Sequence, residues 1–94
     1  MIITCSASPN MIRLHQIPRQ INVEGKIFDS KGQPAEKIKI IVSATWGEKV
    51  AGTSNSKGNW VITLRNLPRE PGNYTVHVEA EKYGSCQTII RVVK

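Results

Sequence analysis

The fold is decided by residues 21–46, which read INVEGKIFDSKGQPAEKIKIIVSATW. In both halves of this stretch, apolar residues or glycine alternate with polar residues, on either side of a short turn. Side chains of a β-strand point to opposite faces in turn, so each run is predicted to bury one face and expose the other. The residues predicted to face the core are Ile21, Val23, Gly25 and Ile27 in the first run, and Ile38, Ile40, Val42, Ala44 and Trp46 in the second.

The two runs are joined by Asp29-Ser30-Lys31-Gly32, which is followed by Pro34. An Asp side chain accepts hydrogen bonds from the backbone of its own turn, and glycine adopts a positive φ at no steric cost. The segment therefore predicts a type I turn closed by a left-handed glycine, and the flanking strands form a hairpin or turn a corner. Asn55-Ser56-Lys57-Gly58 repeats this chemistry and predicts a second turn of the same kind.

Other alternating runs predict the remaining strands. A first strand in residues 2–7 is interrupted at Ser8-Pro9-Asn10 and resumes in residues 11–15, with a change of sheet at the proline. Residues 50–53 predict a weak edge strand, and later strands are predicted in residues 60–64, 74–80 and 86–93. With about seven short strands and no helical period, the 94 residues predict one all-β domain, 1–94, built as an antiparallel sandwich.

Several motifs resemble known families. Ile3-Thr4-Cys5-Ser6-Ala7-Ser8-Pro9 followed by Val23-x-Gly25-x-Ile27-x-Asp29-x-x-Gly32-x-Pro34 is similar to the bacterial immunoglobulin-like domains of invasins and intimins. Gly58-Asn59-Trp60 after a turn is similar to carboxypeptidase regulatory-like (transthyretin-like) domains. Leu67-x-x-x-Pro71-Gly72-Asn73-Tyr74 resembles the tyrosine corner of fibronectin type III and immunoglobulin domains, in which the Tyr hydroxyl bonds back to the preceding link. The resemblance implies an immunoglobulin-like, Greek-key sandwich.

The only two cysteines are Cys5 and Cys86. The resemblance implies that the first and last strands run side by side in parallel, which would place both thiols at the same end of the sandwich. One interpretation is a disulfide, which the loop-entropy model values at about 4 kcal/mol or more. The other is a pair of buried free thiols acting as small apolar residues. Such a bridge would differ from that of antibody domains, which joins the strands where this chain has Val23 and Val76.

Catalytic and metal-binding motifs are absent from the sequence. It contains no Gly-x-Ser-x-Gly, no phosphate-binding loop and no paired carboxylates in a plausible cleft. His15 and His77 are predicted to be solvated strand residues, and two cysteines with two scattered histidines lack the spacing of a metal site. We therefore expect neither an enzyme nor a cofactor.

The chain is basic, with 13 Lys and Arg against 7 Asp and Glu, a net charge of +6. One interpretation is a surface that docks on an acidic partner, such as nucleic acid, a capsid lattice or an anionic wall polymer. The other, which the pattern favours, is solvated strand faces on which lysines protect sheet edges. No aromatic residues interleave with a basic run, which argues against a nucleic-acid platform. The candidate docking residues are Arg13, His15, Arg19, Lys49, Lys57, Arg65 and Arg69.

The resemblance implies a non-catalytic module of an adhesin, surface protein, secreted enzyme or virion. Met1 is not followed by a signal peptide, and virion proteins assemble without secretion, so the first hypothesis is a docking module that decorates a capsid or tail. The alternative is a tandem adhesion module, or a carbohydrate- or wall-binding module, of a bacterial or archaeal surface or secreted protein. An exposed pair of Trp46 and Trp60 would support carbohydrate binding, and burial of both would contradict it. The expected partner is a capsid lattice, a surface lattice or a neighbouring domain, and no apolar run approaches the roughly 20 residues that span a membrane.

Overall fold

The computed structural model describes residues 2–94, which form short strands and one turn of 3-10 helix. The helix spans Leu14–Gln16. The strands are β1 (Ile2–Ile3), β2 (Ser6–Ser8), β3 (Met11–Arg13), β4 (Ile21–Phe28), β5 (Lys39–Ala44), β6 (Lys49–Thr53), β7 (Asn59–Leu64), β8 (Gly72–Ala80) and β9 (Gly84–Val93).

These strands form two sheets that pack as a sandwich. In the first sheet, β4 pairs with β1 and β2 along one side and with β7 along the other. The second sheet has the order β3-β9-β8-β5-β6. The pairing of β3 with β9 is parallel, and the other pairings are antiparallel. The predicted all-β, Greek-key sandwich is confirmed.

The predicted inward faces form the core. In residues 21–46, every second residue of β4 and β5 is buried, apart from the partly buried Gly25. The two inner faces bury large aliphatic side chains between the sheets, as sandwich packing requires. The fully buried large side chains are Ile12, Ile21, Val23, Ile27, Ile40, Val42, Leu64, Val76, Val78, Ile90 and Val92.

Residues 21–46 turn a corner between the sheets, so the hairpin interpretation is wrong. After the turn, the Ala35 N–H still donates to the carbonyl of Ile27 in the first sheet, at 3.0 Å. The buried Ser54 hydroxyl then donates to the Ala35 carbonyl at 2.7 Å and accepts from the Ile38 N–H at 3.0 Å. These bonds direct the chain to the second sheet, because Ser54 follows β6. Alternation within each run predicts which face is buried, but it does not predict which strand pairs with which.

The first strand is divided into three pieces, which raises the strand count among residues 2–94 above the seven predicted. β1 and β2 pair with β4, and β3 pairs with β9 in the other sheet, as the predicted sheet change at the proline requires. His15 lies in the 3-10 helix instead of the predicted strand. The reason is that β9 ends at Val93, opposite Arg13, so β3 has no neighbour with which to continue.

Both predicted turns adopt the same hydrogen-bonded form. The Asp29 carboxylate accepts from the N–H groups two and four residues later, at 2.8 and 3.0 Å. The Asn55 side-chain oxygen does the same at 2.9 and 3.0 Å. Gly32 and Gly58 close the turns with φ of 79° and 75°. Short-range chemistry therefore sets the conformation of these turns.

Candidate protein-binding surface

The sandwich has two distinct ends along its 44 Å length. We call turn end the one formed by the turns 29–32, 55–58 and 81–83, where Ala80 pairs with Gly84. We call basic end the opposite one, where Gly72 pairs with Val92 and which includes the links 14–20, 45–48 and 65–71. The antiparallel register of β8 and β9 separates these ends by nearly the full length of both strands.

The structure places most of the seven candidate docking residues at the basic end. Their side chains are all exposed. Lys57 lies apart from the others, in a turn at the turn end. The residues that share the basic end are Arg13, His15, Arg19, Lys49, Arg65 and Arg69.

Arg91 belongs to the same end and was missed from the sequence. It pairs with Asn73 near the start of β8 and lies beside Met11 of β3. With Arg91, every arginine of the chain lies at the basic end, while the acidic residues of its links are Glu48 and Glu70. The sequence does contain a signal for Arg91. Two antiparallel strands joined by the turn at 81–83 pair residues that are equally far along the chain from that turn, so Arg91 is expected to lie close to Gly72.

The Glu48 carboxylate fastens the basic end together across the two sheets. It accepts hydrogen bonds from the N–H groups of Arg65, at 2.8 Å, and of Asn66, at 3.0 Å. It also accepts from the indole N–H of Trp46 at 3.2 Å. Glu48 precedes β6 of the second sheet, and Arg65 follows β7 of the first. Hydrogen bonds to a charged acceptor are the stronger kind, so this one side chain holds the end of β7 against the link 45–48.

The predicted tyrosine corner orders the neighbouring link. The Tyr74 hydroxyl donates to the carbonyl of Glu70 at 2.8 Å. The ring of Tyr74 packs edge to face on Trp46, with 5.8 Å between centroids and 78° between planes. Arg69 therefore lies on a link that is held in place by the Tyr74–Glu70 hydrogen bond and by the ring pair of Trp46 and Tyr74.

The two tryptophans do not form an exposed pair. Trp60 is 2% exposed, and its indole N–H has no hydrogen-bond partner among the described residues. Trp46 is half-buried, and its ring meets Tyr74 and its N–H meets Glu48. The two tryptophans therefore do not provide a pair of exposed indole faces on which a sugar could stack.

Cys5 and Cys86 meet between the two sheets. Their sulfur atoms are in direct contact and their Cα atoms are 6.3 Å apart, a separation that a disulfide spans. The parallel arrangement expected for the first and last strands is present in the pairing of β3 with β9. The covalent bond itself stays a prediction, which mass measurement decides.

Within the described part of the chain, no group of three or more His, Cys, Asp or Glu is arranged to hold a metal ion. His15 and His77 are exposed and lie on different elements, the 3-10 helix and β8. No helix among residues 2–94 has the length and apolar character needed to cross a membrane.

No protein-family model and no curated protein matches this sequence. The structure, however, is similar to the crystal structure of invasin, a bacterial integrin-binding protein, with a TM-score of 0.80 at 18% identity. The chain has the fold of a bacterial immunoglobulin-like domain. The similarity covers 100% of this immunoglobulin-like chain and 19% of the invasin chain, so it concerns the fold of one part of that protein.

Proposed function

We propose that this immunoglobulin-like domain is a non-catalytic binding module at a biological surface and docks on an acidic protein through its basic end. The observation that carries the proposal is the position of the five arginines, 13, 19, 65, 69 and 91, at one end of the sandwich. Charges that only keep a protein soluble can be of any residue type and can be spread over the whole surface. A binding surface needs its charges gathered in one place, because complementary charge steers the partner and fixes its orientation.

The type of basic residue supports the same proposal. The guanidinium of arginine is planar and bonds a carboxylate through two parallel hydrogen bonds, whereas lysine acts as a strongly hydrated point charge. Lysines dominate the turn end, where Lys31, Lys57 and Lys82 lie in the three turns. Those lysines lie in exposed turns and fit a solubilising role, and the arginines fit recognition of carboxylates.

A protein partner is favoured over single-stranded nucleic acid by the aromatic side chains at the basic end. Single-stranded nucleic acid needs aromatic faces on which bases stack. The Trp46 and Tyr74 rings pack against each other, and their polar atoms bond to Glu48 and to the Glu70 carbonyl. Neither ring offers such a platform.

The setting that we propose is a cell-surface or extracellular protein in which this domain is one module. The similarity to part of the invasin chain supports this alternative. Decoration of a capsid or tail remains a hypothesis of the sequence, without a structural observation in its favour. The native mass of the species that contains the chain separates the two: a long polypeptide supports the surface module, and many copies on a shell support the virion protein.

Two matched charge-reversal variants test the docking surface. The first replaces Arg13, Arg19 and Arg69 by Glu at the basic end, and the second replaces Lys31, Lys39 and Lys57 by Glu at the turn end. Each variant changes three residues by two charges, so both lower the net charge of +6 to zero. Binding of fluorescent poly-L-glutamate is measured by anisotropy at low and moderate salt, with duplex DNA as the competing probe.

We expect the basic-end variant to lose about tenfold or more of its affinity for poly-L-glutamate, and the turn-end variant to lose about threefold or less. Equal losses would mean that net charge alone matters, and would contradict a localised surface. Tighter binding of DNA than of poly-L-glutamate, with a steep salt dependence, would overturn the choice of a protein partner.

A further inference from the structure

The strand β7 is an unprotected edge of the first sheet. Edge strands attract other chains, and proteins usually protect them with lysines, prolines, bulges or short length. The edge formed by β1 and β2 is broken between the two strands, β3 is three residues long, and β6 contains Lys49 and Gly52. β7 reads NWVITL, six residues without charge, proline or glycine.

The register shows which backbone groups of β7 point away from the sheet. The Ile27 N–H donates to the Gly58 carbonyl at 2.8 Å, and these residues continue the β4–β7 register by one position. Bonded and non-bonded pairs alternate along an antiparallel ladder. Trp60, Ile62 and Leu64 therefore bond to β4, and the N–H and C=O groups of residues 61 and 63 point outward.

Both ends of this free segment are closed by other hydrogen bonds. Before it, the Asn59 N–H donates to the Asn55 side chain at 3.0 Å, and the Asn59 carbonyl accepts from the Asn55 N–H at 2.9 Å. After it, the Arg65 N–H donates to Glu48 at 2.8 Å. The outward groups of Val61 and Thr63 are left for another strand.

A groove of about 540 Å³ runs beside this free segment, between β7 and β6 of the other sheet. Val50 and Ala51 line its β6 side, and Val61 and Thr63 line its β7 side. Val61 is 58% exposed, so an apolar side chain of β7 lies open beside this groove. An extended chain laid along β7 would cover Val61 and place alternate side chains in this groove.

We propose that β7 accepts an extended acidic segment of a protein partner as an additional antiparallel strand. Strand addition gives affinity through backbone hydrogen bonds and specificity through alternate side chains. Here the outward N–H and C=O groups of Val61 and Thr63 pair with the segment. Arg65 lines the groove at one end of the pairing, and Lys49 flanks it on β6.

The charges around β7 favour an acidic occupant over a second copy of this chain. The carboxylate that lines the groove, Glu48, already accepts hydrogen bonds from two backbone N–H groups and an indole. On β4, Glu24 pairs with Val61, and its side chain lies on the solvent face of the sheet. Lys26, two residues further along β4, provides an opposite charge on the same face. Two copies of the chain carry +6 each and repel, whereas an acidic segment gains attraction. The inference rests on the proposed protein-binding function. The groove shares Arg65 and Lys49 with the basic end, and the pairing itself uses the backbone of β7.

The test uses an eight-residue fluorescent peptide of alternating Glu and Val, together with a control peptide that is N-methylated at every residue, so that neither edge of the control can donate to a ladder. The control keeps the charges and loses the N–H groups needed for a ladder. Val61→Pro removes an N–H that points away from the sheet, a change that an edge strand tolerates. Thr53→Pro is the matched change on β6, because the N–H of Thr53 also points away from its sheet. Hydrogen exchange of the wild-type protein is followed at residues 61 and 63.

We expect the alternating peptide to slow exchange at both amides by about tenfold or more, and the N-methylated peptide to leave it unchanged. Val61→Pro should weaken peptide binding by about tenfold, and Thr53→Pro should leave it within about twofold. Unchanged exchange at residues 61 and 63 in saturating peptide would overturn strand addition, even if Val61→Pro fails to fold. Self-association without peptide, with the same protected amides, would assign the edge to a second copy. Loss of poly-L-glutamate binding in the Arg13, Arg19 and Arg69 variant would still support the basic end, so the two proposals fail separately.

Discussion

The two ends of the sandwich are built in different ways. At the turn end, Asp29 and Asn55 each bond to backbone groups within four residues of themselves. At the basic end, Glu48 bonds to backbone groups 17 and 18 residues away. Local bonds form wherever the short sequence occurs, whereas long-range bonds need the finished fold. The difference teaches that the Asp29 and Asn55 turns can form from the local sequence, whereas the bonds of Glu48 need β6 and β7 to be in place first.

The largest effect is expected from the cysteine pair, which adds a long-range link to the turn-end half of the sandwich. A disulfide across the sequence separation of 81 residues is valued at about 4.5 kcal/mol by the loop-entropy model. We expect reductant to lower the free energy of unfolding by about this amount, and the Cys5→Ala, Cys86→Ala double variant to show no response to reductant. Intact mass without reductant, lower by two hydrogen atoms, reports the bond. If reductant leaves the unfolding free energy of the wild-type protein unchanged, the disulfide is contradicted.

The two glycines of the turn end come next. Gly58→Ala should cost about 3 kcal/mol in unfolding free energy, because its φ is positive and the new Cβ would lie 2.6 Å from the Ile27 carbonyl oxygen. Gly32→Ala has the same φ penalty and meets nothing within 4 Å, so it should cost about 1 kcal/mol. Urea denaturation of both variants measures the difference. Equal costs would show that the second turn is as local as the first.

Removal of the long-range acceptor at the basic end should have a smaller effect. Glu48→Ala leaves the Arg65 and Asn66 N–H groups without their carboxylate, and we expect a loss of about 2 kcal/mol. Glu48→Gln keeps one acceptor oxygen and should recover roughly half of that loss. Thermal unfolding monitored by circular dichroism checks both. If Glu48→Ala unfolds like the wild type, the basic end is held by packing alone.

The smallest effect is expected at the tyrosine corner. Tyr74→Phe removes one hydrogen bond, to the Glu70 carbonyl, and should cost about 1 kcal/mol. Tyr83→Phe is the matched change at the turn end, where Tyr83 is also half-buried. A similar cost for both variants would mean that the hydroxyl bond at the corner contributes nothing specific to the basic end.

The features that sequence could predict are those governed by neighbours along the chain. Alternation gave the buried faces of β4 and β5, because side-chain direction has a period of two. The Asp29 and Asn55 turns followed from their side-chain oxygens and from glycine three residues later. The resemblance to an immunoglobulin-like sandwich is supported by the fold shared with part of invasin.

The features that sequence could not predict depend on which strands become neighbours. The corner after β4 is set by Ser54, which alternation in residues 21–46 cannot indicate. Charge alone groups Lys57 with the arginines, although its turn lies at the other end of the molecule. The role of Glu48 and the open edge of β7 both follow from the pairing of strands distant in sequence.

The meeting of Cys5 with Cys86 has a mechanical consequence. Ile2 pairs with Phe28 at the turn end, and Val93 pairs with Arg13 at the basic end, so tension applied at these two residues runs along the long axis. Once the sulfurs are joined, this load passes from Cys5 directly into β9, and residues 6–85 lie outside its path. Without the bond, the same pull is resisted by the hydrogen bonds of β1 with β4 and of β9 with β3 and β8, which lie across the pull and are sheared. Force spectroscopy should find a stiff link under oxidising conditions and an extensible one after reduction.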